Sequence, residues 1–515
     1  MAELQRRLSL FSLVMAVVTS TIGSGWLFAP YLTARLAGGA ALISWLLGGV
    51  MAFLLALVFA ELGALVNSSG ALAQIPLLTH GRLAGFIGGW SVWLGYVALP
   101  AIEVLATVQY LGSCLPWLTR DGGAGAVLSS AGIGLACLLL VLFGWVNLKG
   151  VAVLARWLDG LTIWKLVVPL GVSIALIFHT THWSNLGVGG AASGGIFDAL
   201  STGGILFSLL GFRTAMDLAG EARRPQRDVP MAMALGLGMS LVIYLVLQLS
   251  FQLAVPPEQL AGGWSKLSLS AHGGPLVAVV LSLGLGGLAS LLITDAVVSP
   301  SATAMAYLGT AARVNWMMAR CQLLPAPLGR LNAAGVPGPA LVATVVIGVL
   351  VLQGGSSWGQ AVGFVTAALV IALAMGPVSL EALRRQAPKV HRPYRLPLAH
   401  LLCPLAFVLA TWAIFWCGWG SLRFAVPLIL VPSFIYWLRA AGSSGLEWRS
   451  GIWWLPYLGG LGFASWLLGP GRPLSLGQGP QLLVLAVFAL LVFPLAVRSC
   501  LPEVSPHAMV ELEQS

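Results

Sequence analysis

The chain has 515 residues, 58% of them hydrophobic and only 8% charged, with a mean hydropathy of +0.93. That composition excludes a soluble globular domain and puts most of the chain in lipid as an all-α polytopic membrane protein. The net charge of +10 is then explained by arginines retained in loops on one membrane face, so no nucleic-acid partner is expected.

In chain order, Arg6 and Arg7 precede an apolar run that imitates a signal peptide. No A-x-A-like cleavage site follows and the apolar pattern continues, so the run is expected to stay as a first span. At about 20 residues per span, helices are predicted near 9–35, 40–66, 83–114, 127–147, 153–178, 196–220, 229–254 and 275–310. Further runs lie near 338–353, 360–382, 397–420, 423–439, 451–469 and 480–499, about fourteen spans in all. The polar stretch over 501–515 is expected to be a disordered cytoplasmic tail.

The basic residues divide between the faces. With the N-terminus inside, Arg82, Lys149, Arg223, Arg224, Arg227, Arg313, Arg320, Arg330 and the 384–395 group share one side. The other side keeps Arg35, Arg120, Lys266, Arg423 and Arg472. This asymmetry predicts an even number of spans with both termini cytoplasmic. Six cysteines show neither a CxxC nor a metal-like spacing, and seven histidines form no constellation. No disulfide framework, metal or cofactor is expected.

Two spans are interrupted. Thr21-Ile22-Gly23-Ser24-Gly25 falls in the middle of the first, and Gly211 falls in the sixth, five spans later. Breaks in corresponding positions of two halves point to a midplane site, because half-helix N-termini can face an anionic group; the other reading of Gly-x-Gly is close helix packing. Two residues after Gly211 stands Arg213, in membrane-grade surroundings where a charge costs roughly 2.5–3.5 kcal/mol. A function must offset that cost.

Together these motifs carry a resemblance. TIGSGWLFAP, FAELGALVNSSGALAQIP, GFRTAMDLAGEARRPQRDVP and MARCQLLPAPLGRLNAAGVPGPAL are similar to the first helix, the second helix with its turn, the sixth helix with its loop, and the loop after span eight of the amino acid, polyamine and organocation permeases. The resemblance covers residues 9 to 440 or so. It implies a leucine-transporter-type fold of two inverted five-helix repeats (9–178 and 196–383) within a transporter core over 1–385. The helices over 386–500 would be accessory. Spans thirteen and fourteen exceed the common twelve-helix plan and resemble bacterial members with extra C-terminal helices, among them aspartate:proton symporters, whose first helix also reads IGSGWLF.

That likeness implies roles. Thr21, Ile22, Gly23, Ser24 and Gly25 would offer backbone and hydroxyl contacts to a substrate's amino and carboxylate groups; Ser24 as a plain helix cap is the alternative. Phe207, four residues before Gly211, matches an aromatic that covers bound substrate, or else packs. Lys165, in the middle of span five, is similar to a lysine that proton-coupled relatives place against span one where sodium-coupled relatives hold a cation. Burial disfavours the charged form of a lysine, so it can carry a proton through the cycle; otherwise it is a charged strut. Glu103 in span three and Asp295 in span eight are further proton-relay candidates, or partners of Lys165 or Arg213. Arg213 stands where many relatives carry a small, polar or acidic residue. It would favour aspartate or glutamate by bidentate pairing, unless it pairs with Asp217 four residues on. Glu61 and Glu221 read as helix-end partners of Arg82 or of the Arg223 cluster.

The function these features predict is import of an amino acid, acidic by preference, with a proton by alternating access. Exchange, a neutral amino acid permease and a transport-inactive sensor remain alternatives. An enzyme is not expected, since HExxH, GxSxG and P-loop motifs are all missing. The expected partners are the substrate, the proton and the lipid bilayer, and the sequence leaves the oligomeric state open.

Overall fold

The computed structural model describes residues 8–66, 70–121, 126–189, 193–269, 274–353, 358–440, 447–470, 472–474 and 476–504, with only the backbone for 151–159. Arg6, Arg7 and most of the polar tail lie outside the described residues. A backbone in hydrocarbon must satisfy its own polar groups, and the chain does so with helices. In order these are α1 Leu10–Thr21, α2 Gly25–Ala37, α3 Ala41–Leu65, α4 Ala71–Leu111, α5 Ser130–Leu148, α6 Val151–His179, α7 Ser193–Ser201, α8 Ile205–Leu209, α9 Thr214–Asp217 and α10 Pro225–Ala254. They continue as α11 Pro275–Ser282, α12 Gly286–Arg320, α13 Gly338–Leu352, α14 Trp358–Gln386, α15 Ala399–Trp416, α16 Gly418–Ala440, α17 Trp448–Gly451, α18 Trp454–Leu468 and α19 Gln478–Arg498. A small antiparallel hairpin, β1 Thr119–Asp121 with β2 Ala126–Leu128, caps the loop between α4 and α5.

Among the described residues, ten helices are long and apolar enough to cross a membrane, or eleven when Gly195–Ser201 and Ile205–Asp217, bent by 47°, count as one span. That tally takes Gly25–Leu65 as a single 41-residue segment. At 1.5 Å per residue it is about twice the hydrocarbon thickness, and Gly38, at φ +60°, separates α2 from α3. Each of the fourteen expected runs contains a helix. Span three starts, as expected, just beyond Gly81, where a break (φ 76°, ψ −169°) splits α4. One detail differs from the sequence reading. Span eight is two helices, α11 and α12, parted at residues 283–285, where Gly284 takes φ +73°.

The C-terminal helices dock on the core through polar contacts that lipid cannot supply. His80, buried at the end of the first part of α4, bonds Thr79 Oγ1 at 2.8 Å and the Ala496 carbonyl of α19 at 3.0 Å. Gln386 at the end of α14 donates to the Thr79 and Leu501 carbonyls at 2.9 and 2.7 Å. The same end of the molecule holds Glu61, whose partners differ from those expected. Glu61 accepts from Arg384 Nε at 3.1 Å and from the Leu396 amide at 2.7 Å, with Arg392 Nε at 3.1 Å. Glu221 lies 3.5 Å from Arg313. Arg82 instead reaches Tyr436 and the Gln322 carbonyl. Arg384 in the last turn of α14 and Arg392 in the loop after it both reach Glu61.

Candidate functional site

The site is built on the break between α1 and α2. A helix that stops in mid-membrane leaves carbonyls without intrahelical partners at its C-terminal end and amides at the next N-terminal end. Both sets are satisfied by side chains from surrounding helices. The Thr19 carbonyl accepts from Lys165 Nζ of α6 at 3.0 Å, the Ser20 carbonyl from Tyr307 Oη of α12 at 3.1 Å, and the Thr21 carbonyl from Tyr244 Oη of α10 at 2.9 Å. Across the gap, the Ser24 amide donates to Glu103 Oε2 of α4 at 2.7 Å. A cation at the helix C-terminus and a carboxylate at an N-terminus match the two ends of the helix dipole.

The glycines are explained by close approach. A Cβ at Gly23 would come 2.6 Å from Glu103 Oε1. One at Gly25 would meet Ser208 Oγ, with Tyr244 Oη at 3.1 Å. One at Gly211 would collide with Thr21 Oγ1 and stand 2.7 Å from the Thr21 nitrogen. The two interrupted spans therefore touch at their breaks. Ile22 is fully buried, and the Thr21 hydroxyl turns back to the Val17 carbonyl at 2.7 Å.

Lys165 also donates to Thr303 Oγ1 at 2.5 Å and lies within electrostatic reach of both Glu103 and Asp295, without an ion pair to either. Asp295 accepts from Trp164 Nε1 at 2.7 Å and from Ser299 Oγ at 3.0 Å through one oxygen, while its other oxygen is buried without a partner. The three titratable groups singled out in spans three, five and eight thus gather around the break.

Arg213 is 2% exposed and does not pair directly with Asp217. Its Nε donates to Tyr96 Oη at 3.0 Å, and that hydroxyl donates to Asp217 Oδ2 at 2.5 Å. Nη1 donates to the Leu210 carbonyl at 2.7 Å, and the guanidinium stands over the Tyr96 and Tyr307 rings at 4.9 and 5.6 Å. The expected direct pair is replaced by a bridge through Tyr96 Oη, in a segment where 3-10 winding over Leu210–Arg213 precedes a single α turn, Thr214–Asp217. Tyr307 is one ring away from both Arg213 and the α1 break.

Above Ser24 sits an aromatic cluster. Trp358 of α14 donates its indole N–H to Ser24 Oγ at 2.9 Å, stacks on Phe28 at 4.9 Å and meets Phe207 edge-on at 5.7 Å. Tyr110 packs its edge on Phe28 and donates to the Leu27 carbonyl at 2.9 Å. Sequence reasoning missed Trp358, Tyr96, Tyr244, Tyr307 and Thr303. A signal existed for the tyrosines: seven of the eight in the chain lie within predicted spans, those at 96, 110, 244 and 307 among them, and there each hydroxyl must find a partner.

The sequence profile of amino acid permeases matches residues 8–439, across the break, the Lys165 helix and the Trp358 helix. The chain belongs to the amino acid permease family. Relatives of this permease include the glutamate/serine transporter AimA of Bacillus subtilis (strain 168), 32% identical over 473 residues that cover 89% of the chain and 87% of that protein. The aspartate-proton symporter of the same organism is 34% identical over 436 residues, 84% and 83% of the two chains. Its branched-chain amino acid permease BcaP is 25% identical over 86% of the chain and 95% of its own length. The permease is an integral membrane amino acid transporter of the amino acid, polyamine and organocation superfamily, and not an enzyme.

Proposed function

We propose that the permease imports an acidic amino acid, aspartate or glutamate, together with a proton by alternating access across a plasma membrane, with both termini on the cytoplasmic side. Residues 9–178 and 196–383 form the inverted repeats of the transporting core, and the helices after residue 385 are accessory. The observation that carries the reading is that Lys165 sits on the carbonyl end of α1 and Glu103 on the amide end of α2.

The chemistry follows from competition for one donor. The Ser24 amide and the dipole of α2 favour a carboxylate, and the carboxylate there is Glu103. A substrate α-carboxylate can take that place only when Glu103 lets go. A proton added to Glu103 removes the charge that holds it, so proton and substrate binding favour each other. Lys165, 3.0 Å from the Thr19 carbonyl, holds the end of α1 while charged and releases it when neutral. Asp295, with one buried oxygen unpartnered, is the third group able to accept the proton. Thr21, Ile22, Gly23, Ser24 and Gly25 receive the substrate backbone, Gly211 lets the sixth span approach it, Phe207 and Trp358 close over it, and Arg213 selects a second carboxylate. The aspartate-proton symporter among the relatives supports the same reading.

A wider range that includes small neutral amino acids is the second reading. It is favoured by the glutamate/serine relative and by the guanidinium of Arg213 being already bonded to Tyr96 and Leu210. The test is competition in proteoliposomes: uptake of labelled aspartate driven by an inward proton gradient, challenged with excess glutamate or serine. Inhibition by glutamate alone supports the first reading, equal inhibition by serine supports the second, and uptake that requires sodium contradicts both.

A further inference from the structure

We propose that the permease carries a binding site for an anionic phospholipid where the transporting core meets the accessory helices. An apolar cavity of about 230 Å³ opens there between Leu83 and Ile87 of α4, Phe434 and Trp437 of α16, Trp448 of α17 and Leu455 of α18. Its walls come from three separately packed parts of the chain. Leu83 follows the Gly81 break of α4, Trp437 lies in the last turn of α16, and Trp448 begins the short α17 helix that packs on α4. Apolar lining of this kind suits an acyl chain.

The rim decides the headgroup. Arg82 adjoins Leu83 and Arg449 adjoins Trp448, with its guanidinium 5.5 Å from that ring. Arg449 is exposed. Arg82 spends its Nε and Nη2 donors on Tyr436 and the Gln322 carbonyl, which fixes its charge beside the cavity mouth. The acid facing this group is Glu447, whose carboxylate accepts from the Arg82 amide at 3.2 Å. Two guanidinium groups against one carboxylate leave a surplus of one positive charge next to an apolar slot, the combination that selects a phosphate diester with a net negative charge over a zwitterionic headgroup. Because the slot is shared, such a lipid would bind α4, which carries Tyr96 and Glu103, to the last helices. That gives the accessory spans a role independent of the substrate.

The test uses the purified full chain in detergent with phosphatidylglycerol or phosphatidylcholine brominated on the same acyl chain. Bromine quenches nearby tryptophan, and Trp437 and Trp448 line the slot; the signal lost in Trp437→Phe isolates this site from the other tryptophans. The expected result is tighter quenching by phosphatidylglycerol, weakened about fivefold by Arg449→Gln or Arg449→Ala. Ser433→Leu, which fills the slot at a side chain bonded only within its own helix, is expected to abolish quenching with an unchanged unfolding temperature. Equal quenching by the two lipids, or arginine variants that bind phosphatidylglycerol as the parent does, would overturn the proposal.

Discussion

Replacing Tyr96 with phenylalanine removes one oxygen from the most heavily charged part of the membrane interior and leaves the ring in place. That oxygen accepts from Arg213 at 3.0 Å and donates to Asp217 at 2.5 Å, with all three residues buried. Hydrogen bonds to charged groups contribute about 1.5–3 kcal/mol each, so the pair sums to about 3–6 kcal/mol. The cation–π contact at 4.9 Å is retained. Some of the loss is regained if Arg213 and Asp217 close on each other, which sets the net cost at about 2–4 kcal/mol. The assay is unfolding of the purified permease in mixed micelles, followed by tryptophan fluorescence for Tyr96→Phe, Asp217→Asn and the double variant. The hydroxyl bridge predicts a double variant less destabilised than the sum of the singles by more than about 1 kcal/mol. Additive effects, or a Tyr96→Phe protein as stable as the parent, would refute the bridge and with it the account of how Arg213 is held.

Three further outcomes follow from the geometry. Lys165→Ala is expected to leave substrate binding measurable but to make uptake indifferent to the proton gradient, read as equal initial rates with and without imposed acid outside. Arg213→Ala is expected to lower the affinity for aspartate at least tenfold, the loss of about 1.4 kcal/mol, while a neutral amino acid is affected less; a thermal-shift titration against both ligands checks it. Trp358→Phe keeps the stacking on Phe28 but loses the 2.9 Å bond to Ser24, and is expected to raise KM about fivefold, worth about 1 kcal/mol, with kcat nearly constant.

Much of this was legible in the residues. The break over 22–24 and the interruption at Gly211 could be read because glycine in an apolar run has few other uses, and Lys165, Glu103 and Asp295 stood out because charge in hydrocarbon demands a reason. What could not be read was who faces whom. Arg213 and Asp217 looked like neighbours on one helix face, and Tyr96, from α4, supplies the hydroxyl that bridges them. Glu61 was expected to meet Arg82, but the last turn of α14 and the loop after it bring Arg384 and Arg392 to it. Trp358 gave no sign of its role, since a tryptophan at a span end ordinarily marks the membrane interface. Only the packing of α14 against the first span turns its indole to Ser24.

The central claim is that a carboxylate-bearing substrate and a proton enter together at the α1–α2 break. Proteoliposomes loaded with a pH-sensitive dye and given external aspartate, with no imposed gradient and no sodium, measure it directly. The account predicts internal acidification that tracks labelled aspartate uptake and disappears in Glu103→Gln. Aspartate uptake without acidification, or acidification that persists in Glu103→Gln, would contradict it.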